Sequence, residues 1–138
     1  MIWGSANKKA LKPVMKCAAR FVLSKKKYDS ITTELTDHLL WLTPKNLYYY
    51  KCLSFIKSFM LGTCPHIFSD IFDISQTDGR LGIMAKSNLI VKNNYGCRLF
   101  EFEAVKSFNN LPSDIKNDDL LPIYKSKTLH YLLTSQKT

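Results

Sequence analysis

Apolar and polar positions follow helical spacing over most of this chain and alternate only briefly. From about Pro13 to Leu23 the pattern predicts a helix. Leu11, Met15, Ala18 and Val22 recur at helical spacing and form one face. Lys9, Lys12, Lys16 and Arg20 recur in the same way and, at about 100° per residue, lie nearly opposite. Pro13 suits a first turn, where its missing N–H costs little. A helix beginning there shortens the basic stripe to Lys12, Lys16 and Arg20. A second, short helix is predicted from Ser30 to about Leu40, with Ser30 as its cap. The clearest helix opens on Thr43-Pro44, a capping hydroxyl followed by a first-turn proline, and stops at Gly62. Tyr49, Cys52, Leu53, Ile56, Phe59 and Met60 share one of its faces, while Lys51, Ser54, Lys57 and Ser58 point away. It reads as the central helix of a bundle. Pro65 opens another short helix, with Ile67, Phe68, Ile71 and Phe72 facing inward.

The C-terminal half is more broken. Gln76 to Gly82 carries turn chemistry in Thr77-Asp78-Gly79 and a second glycine. Leu89-Ile90-Val91, the turn-like Asn93-Asn94 and Gly96, and the alternating Phe100 and Phe102 predict a two-stranded hairpin. Ala104 to Asn109 reads as a short helix ended by Leu111-Pro112. Pro122 to Leu133 closes the chain as a helix with Tyr124, Tyr131 and Leu132 on one side. The expected fold class is mostly α, a small helical bundle of four or five helices with one short β-hairpin. Residues 1–75 form a helical region with the basic N-terminal helix. Residues 76–138 carry the hairpin and the last helix, and the two regions pack as one unit.

Composition narrows the class without naming a function. A chain of 138 residues, 46% hydrophobic and 22% charged, is that of an ordinary globular domain. No apolar run approaches the ~20 residues that span a bilayer, and no apolar stretch precedes a cleavage-like site near the N-terminus. Charge changes the picture more. Lys8, Lys9, Lys12, Lys16, Arg20, Lys25, Lys26 and Lys27 fall within the first 28 residues, which contain no acid. Nearly all of the net charge of +9 is therefore concentrated in one fifth of the chain. A field of this kind favours a polyanionic partner.

Candidate chemistry is sparse. Cys17, Cys52, Cys64 and Cys97 include no close pair of the sort a zinc site uses, and an intracellular location in cytoplasm or nucleus fits their spacing. Cys64-Pro65-His66 lacks a second ligand pair, and His38 and His130 stand alone. The adjacent acids Asp118 and Asp119 follow Lys116-Asn117 in a polar stretch and read as solvated loop acids, not as a two-metal site. No catalytic residue, metal or cofactor is expected. The basic stripe is the best candidate, because lysines one turn apart can meet successive phosphates. Tyr48, Tyr49 and Tyr50 could stack on bases, but helical spacing assigns them to packing. Arg80 and Arg98 flank the predicted hairpin and either touch nucleic acid or pair with Glu101 and Glu103.

Two strings near the C-terminus carry a family likeness: Asn94-Tyr95-Gly96-Cys97-Arg98-Leu99-Phe100, and Phe108-Asn109-Asn110-Leu111-Pro112-Ser113-Asp114-Ile115. Ile2-Trp3-Gly4-Ser5, Lys16-Cys17-Ala18-Ala19-Arg20, Leu40-Trp41-Leu42, Tyr50-Lys51-Cys52 and the Pro65 to Phe72 segment precede them in order. Together they resemble the end of the thumb and the tail of reverse transcriptases encoded by non-LTR (LINE-type) retrotransposons. Phe108 stands where that family usually has tryptophan, and Thr128 near a usual leucine. The resemblance implies a non-catalytic C-terminal fragment of an RNA-directed DNA polymerase, without fingers or palm. It implies that Lys12, Lys16, Arg20 and Lys25 to Lys27 grip RNA template and RNA/DNA duplex through phosphate. It also implies that Ile2, Trp3 and the apolar face of the first helix are uncovered, which favours self-association. The alternative is an interaction module for an acidic protein partner.

Overall fold

Thr43 and Pro44 set the axis around which the chain folds. The Thr43 hydroxyl oxygen accepts from the Asn46 backbone N–H at 3.3 Å, and Pro44 fills the first turn of a helix that runs to Met60. The computed structural model describes residues 8–76, 83–88 and 100–136, the side chains of Lys8, Lys9, Ala10, Thr36 and Gln76 excepted. Among these, the elements are α1 (Lys8–Val22), α2 (Thr32–Asp37), α3 (Pro44–Met60), a single 3-10 turn (His66–Asp70), β1 (Phe72–Gln76), β2 (Ile83–Ser87), α4 (Phe100–Asn109), α5 (Ser113–Lys116) and α6 (Leu121–Ser135). The chain is mostly helical with one short antiparallel hairpin.

α3, α4 and α6 enclose the main core. Tyr48, Cys52, Leu53 and Ile56 of α3 meet Ala104 and Phe108 of α4 and Tyr124, Leu132 and Leu133 of α6, with Phe72 and Ala85 from the hairpin. These buried positions recur at three- and four-residue steps, one helix face each. Phe55 joins the hairpin side through edge-on contacts with Phe68 and Phe100 at 4.9 and 5.1 Å. The division after residue 75 falls inside β1, and the core draws on both sides of it. A second, smaller cluster holds Ala19, Ile31 and Leu35, with Met15, Leu39 and Trp41 against it.

Several sequence expectations are corrected. The hairpin lies one segment earlier than predicted: Phe72 to Gln76 pairs with Ile83 to Ser87, Ile74 opposite Ala85. Leu89 to Val91, one predicted strand, lies outside the described residues. Phe100 and Phe102, the other, open α4 instead. Phe100, Ala104 and Phe108 are four apart, so the helical period wins over the two-residue alternation. Glu101 and Glu103 in the first turn suit the positive end of that helix. In the second helix Ile31, not Ser30, occupies the cap position, without a side-chain bond, because Ile31 is drawn into the small core. Ile67 is 69% exposed rather than inward, and Phe72 is buried from a strand.

The largest surprise in α3 is Lys57, read from the sequence as outward but only 2% exposed. Its Nζ donates to the Lys116 carbonyl at 3.1 Å, closing the end of α5, and lies 5.6 Å from the Tyr124 ring centre. Lys116 repeats the device, its Nζ donating to the Asn109 carbonyl at 2.8 Å at the end of α4. Both ammonium groups meet carbonyls that the helix ends leave unpaired. Asn109 in turn binds the free edge of β2, accepting from the Ala85 N–H at 3.0 Å and donating to the Ala85 carbonyl at 2.9 Å. The Phe108-Asn109-Asn110-Leu111-Pro112 string is thus a structural node: Phe108 and Leu111 are buried, and Pro112 precedes α5.

Candidate nucleic-acid interface

α1 begins at Lys8 rather than Pro13, so Pro13 sits in its second turn and Lys8 and Lys9 join the helix. The whole stripe of Lys9, Lys12, Lys16 and Arg20 therefore lies along one edge of a single helix. The helix is not packed as its sequence predicts. Ala19 is fully buried and Met15 half-buried, while Leu11, Val14, Phe21 and Val22 are exposed and Ala18 with them. The packed side is rotated by roughly a quarter-turn toward the basic stripe. The small Ala19 lets α1 approach Ile31 and Leu35 closely, and Lys16 and Arg20 become half-buried beside it. Long basic side chains can cover apolar surface with their stems and keep the charged head in water.

The turn after α1 is tight. Lys25 N–H donates to the Arg20 carbonyl at 2.9 Å and Ser24 N–H to the Phe21 carbonyl at 3.2 Å, with Ser24 at φ 52°. This helix-ending motif turns Lys25, Lys26 and Lys27 outward, all of them exposed. Asp29 holds the turn together: its carboxylate accepts from the Lys26 N–H at 2.8 Å, and its carbonyl from the Arg20 guanidinium at 3.4 Å. Lys25 Nζ pairs with Glu34 at 3.2 Å. A backbone hydrogen bond, with Lys25 adding to it, holds the Glu34 carboxyl below its ordinary range.

The structure thus sorts the candidate residues. Lys12, Lys16, Lys26 and Lys27 have no carboxylate partner among the described residues. Lys25 is ion-paired and Arg20 is engaged by the turn. Lys8 and Lys9 are on α1 with their side chains undescribed, and Arg80 and Arg98 lie outside the described residues. Sequence reading missed Tyr28, which is 89% exposed with the Lys27 Nζ 5.6 Å from its ring centre. The signal was available, an aromatic residue directly after three lysines. Tyr48 is buried and Tyr49 and Tyr50 half-buried, in keeping with packing.

Elsewhere the described residues hold little reactive chemistry. No group of three or more histidine, cysteine or carboxylate side chains is placed to hold a metal ion. Asp118 pairs with Lys127 at 2.9 Å, and Asp119 is exposed. Cys17 is exposed and Cys52 buried, and burial pushes the Cys64 thiol up. Among the described residues, no helix is long and apolar enough to cross a membrane. No family model, no curated protein and no solved structure matches this chain.

Proposed function

We propose that this chain is a non-catalytic thumb-and-tail region of a non-LTR retrotransposon RNA-directed DNA polymerase, and that it holds RNA and RNA/DNA template–primer by the phosphate backbone. The observation that carries the reading is the acid-free run of eight basic residues, within which Lys12, Lys16, Lys26 and Lys27 lack carboxylate partners among the described residues. The order of family-like strings along the whole chain supports the same assignment. Lysines at the end of α1 meet successive phosphates, and Tyr28 beside them offers a face to an unpaired base. Such contacts give affinity without sequence choice. Polymerase chemistry belongs to the fingers and palm of the family, and this region contributes grip in the cytoplasm or nucleus.

The test is a fluorescence-anisotropy titration of a labelled RNA/DNA hybrid at several salt concentrations. With about four phosphate contacts, log affinity should fall against log salt with a slope near −3 to −3.5. Lys26→Glu combined with Lys27→Glu should flatten the slope by about 2 and weaken binding by well over tenfold. A slope near zero, or equal affinity of variant and parent, would refute the reading.

A second reading, a protein-binding module, is favoured by a separate observation. Leu11, Val14, Phe21 and Val22 present apolar surface outward, Phe21 at 87% exposure. Association through this ridge, with an acidic partner or a second copy, would survive high salt and weaken on Phe21→Ser. Sedimentation in high salt separates it from phosphate binding.

A further inference from the structure

The outer face of α1 is apolar. Leu11, Val14, Ala18 and Phe21 follow one another at steps of three, four and three residues, and all are exposed, Val14 at 65%. At about 100° per residue they fall within a sector roughly 80° wide. This is the seam spacing of paired helices, in which side chains of one helix seat between those of the other. Met15, Cys17 and Val22 border the seam, none of them charged. Lys12, Lys16 and Arg20 lie roughly 140–180° around the helix from the centre of the seam.

These placements choose among partners. An acidic helix seated on the seam would find no basic side chain along its border, because the stripe runs on the far side. Charge complementarity therefore does not favour it. A second copy brings the same uncharged border and meets no like charge there. Side-chain sizes also match when the two helices run antiparallel. Leu11 then faces Phe21 of the second copy at each end, and Val14 faces Ala18 of the second copy in the middle. Bulky side chains close the ends and smaller ones the centre. A parallel pair would set Phe21 against its own equivalent and leave a gap between the two Ala18 methyls. It would also crowd both Lys25 to Lys27 turns at one end, which antiparallel pairing separates.

We propose that a second copy of this chain docks on α1 through this seam, as a weak antiparallel two-fold pair. The inference rests on the protein-binding reading of the ridge and names its partner. The contact is isologous, each copy offering the same residues to the other. A seam about 15 Å long is small beside the roughly 800 Å² per partner of a stable interface, so the pair forms and separates with concentration. The two-fold axis passes level with residue 16. The two Cys17 side chains then share one border of the seam, offset by about 3 Å along the helices, whereas a parallel pair puts them on opposite borders. Both basic stripes stay outward, so pairing leaves the phosphate-gripping face free.

The test is sedimentation equilibrium of the full chain from about 10 μM to about 1 mM. A monomer–dimer equilibrium is expected, and it should strengthen several-fold in high salt, which screens two copies of net charge +9. Phe21→Ser and Val14→Ser, both at exposed positions, should each weaken pairing about tenfold or more, with circular dichroism unchanged. A short bismaleimide should join the copies through Cys17, which is exposed, and Cys17→Ser should abolish that link. Monomer mass at every concentration would overturn the proposal, as would a dimer that weakens in high salt or that Cys17 does not crosslink. A synthetic glutamate-rich amphipathic helix, titrated onto the chain, separates this failure from failure of the ridge reading. A monomer that binds the peptide, and loses it on Phe21→Ser, overturns the second copy and keeps the ridge as a docking site. A monomer that does not bind it overturns both.

Discussion

The first 35 described residues and the rest of the chain are built on different terms. Residues 8–42 hold a cluster of their own with three buried side chains, Ala19, Ile31 and Leu35, and lend only Leu42 to the cluster of fourteen around which the body from α3 to α6 closes. Between them lies an apolar hollow of about 400 Å³ lined by Met15, Leu40, Trp41, Leu42, Leu47, Tyr50 and Leu129. The same N-terminal region holds both non-glycine residues of positive φ among those described, Ser24 at 52° and Leu40 at 50°. Charge, strain and loose packing therefore coincide where the core is thinnest. Free energy of local opening follows buried contact, so α1 should open without the body.

The sharpest way to break this comparison is one substitution in each core. Phe108→Ala empties the centre of the body, where the side chain is fully buried, and should cost about 3–5 kcal/mol in urea unfolding followed by circular dichroism. Ala19→Asp places a charge at the α1 seam, where the residue is equally buried. It should strip hydrogen-exchange protection from α1 yet move the body's transition by less than about 1 kcal/mol. If Ala19→Asp unfolds everything, the two regions are one cooperative unit.

A smaller effect tests how the hairpin is held to the body. Asn109→Ala removes both hydrogen bonds to Ala85 and leaves its N–H and carbonyl without that partner. A loss of about 2 kcal/mol is expected, with exchange at residues 83–87 rising before that of α3. Unchanged protection there would show that Phe72 packing alone holds the hairpin.

Buried lysines give the body a pH signature that the N-terminal region lacks. Desolvation lowers the Lys57 and Lys116 ammonium pKa from the ordinary 10.5, with Asp118 and Asp119 partly opposing it at Lys57. Between the lowered folded values and 10.5, the unfolded chain binds more protons than the native one. Stability should therefore rise with pH in that window. Burial raises the Tyr124 and Tyr48 phenols above their ordinary 10.0, so the unfolded chain loses those protons first and stability should fall again at higher pH. Urea unfolding across the alkaline range should show this maximum, and Lys57→Met should flatten its rising side. A monotonic fall from neutral pH would contradict the burial of Lys57.

What the sequence disclosed follows from which interactions are local. The α3 boundaries were legible because Thr43-Pro44 and Gly62 act within one turn of themselves. The basic run was legible because charge needs no fold to be counted. The position of Lys57 was hidden because its carbonyl partner at Lys116 comes from another helix far along the chain. The hairpin was displaced for a related reason: the period-two spacing of Phe100 and Phe102 is also compatible with one helix face once Ala104 and Phe108 are included. The inward turn of α1 depends on how small Ala19 is against Ile31, which a polarity pattern does not register.

The smallest expected effect compares the two regions at a motif they share. Both α1 and α3 end with the same pair of backbone hydrogen bonds: Lys25 to Arg20 and Ser24 to Phe21 in one, Thr63 to Ser58 and Gly62 to Phe59 in the other. The left-handed position is glycine in the body, Gly62 at φ 69°, and serine in the N-terminal region, Ser24 at φ 52°. A Cβ built on Gly62 meets nothing within 4 Å, so Gly62→Ala carries only the conformational cost of the left-handed backbone, about 1 kcal/mol. Ser24→Gly should relieve a similar cost, about 0.5–1 kcal/mol. The two substitutions should report differently: Gly62→Ala in global unfolding, Ser24→Gly only in slower amide exchange along α1. Because Ser24 sets the direction of Lys25 to Lys27, the glycine variant also asks whether that turn must be held for phosphate gripping. A more stable α1 with unchanged hybrid affinity would mean that the lysines bind as a tether, and a gain in affinity would mean that they bind from the ordered turn.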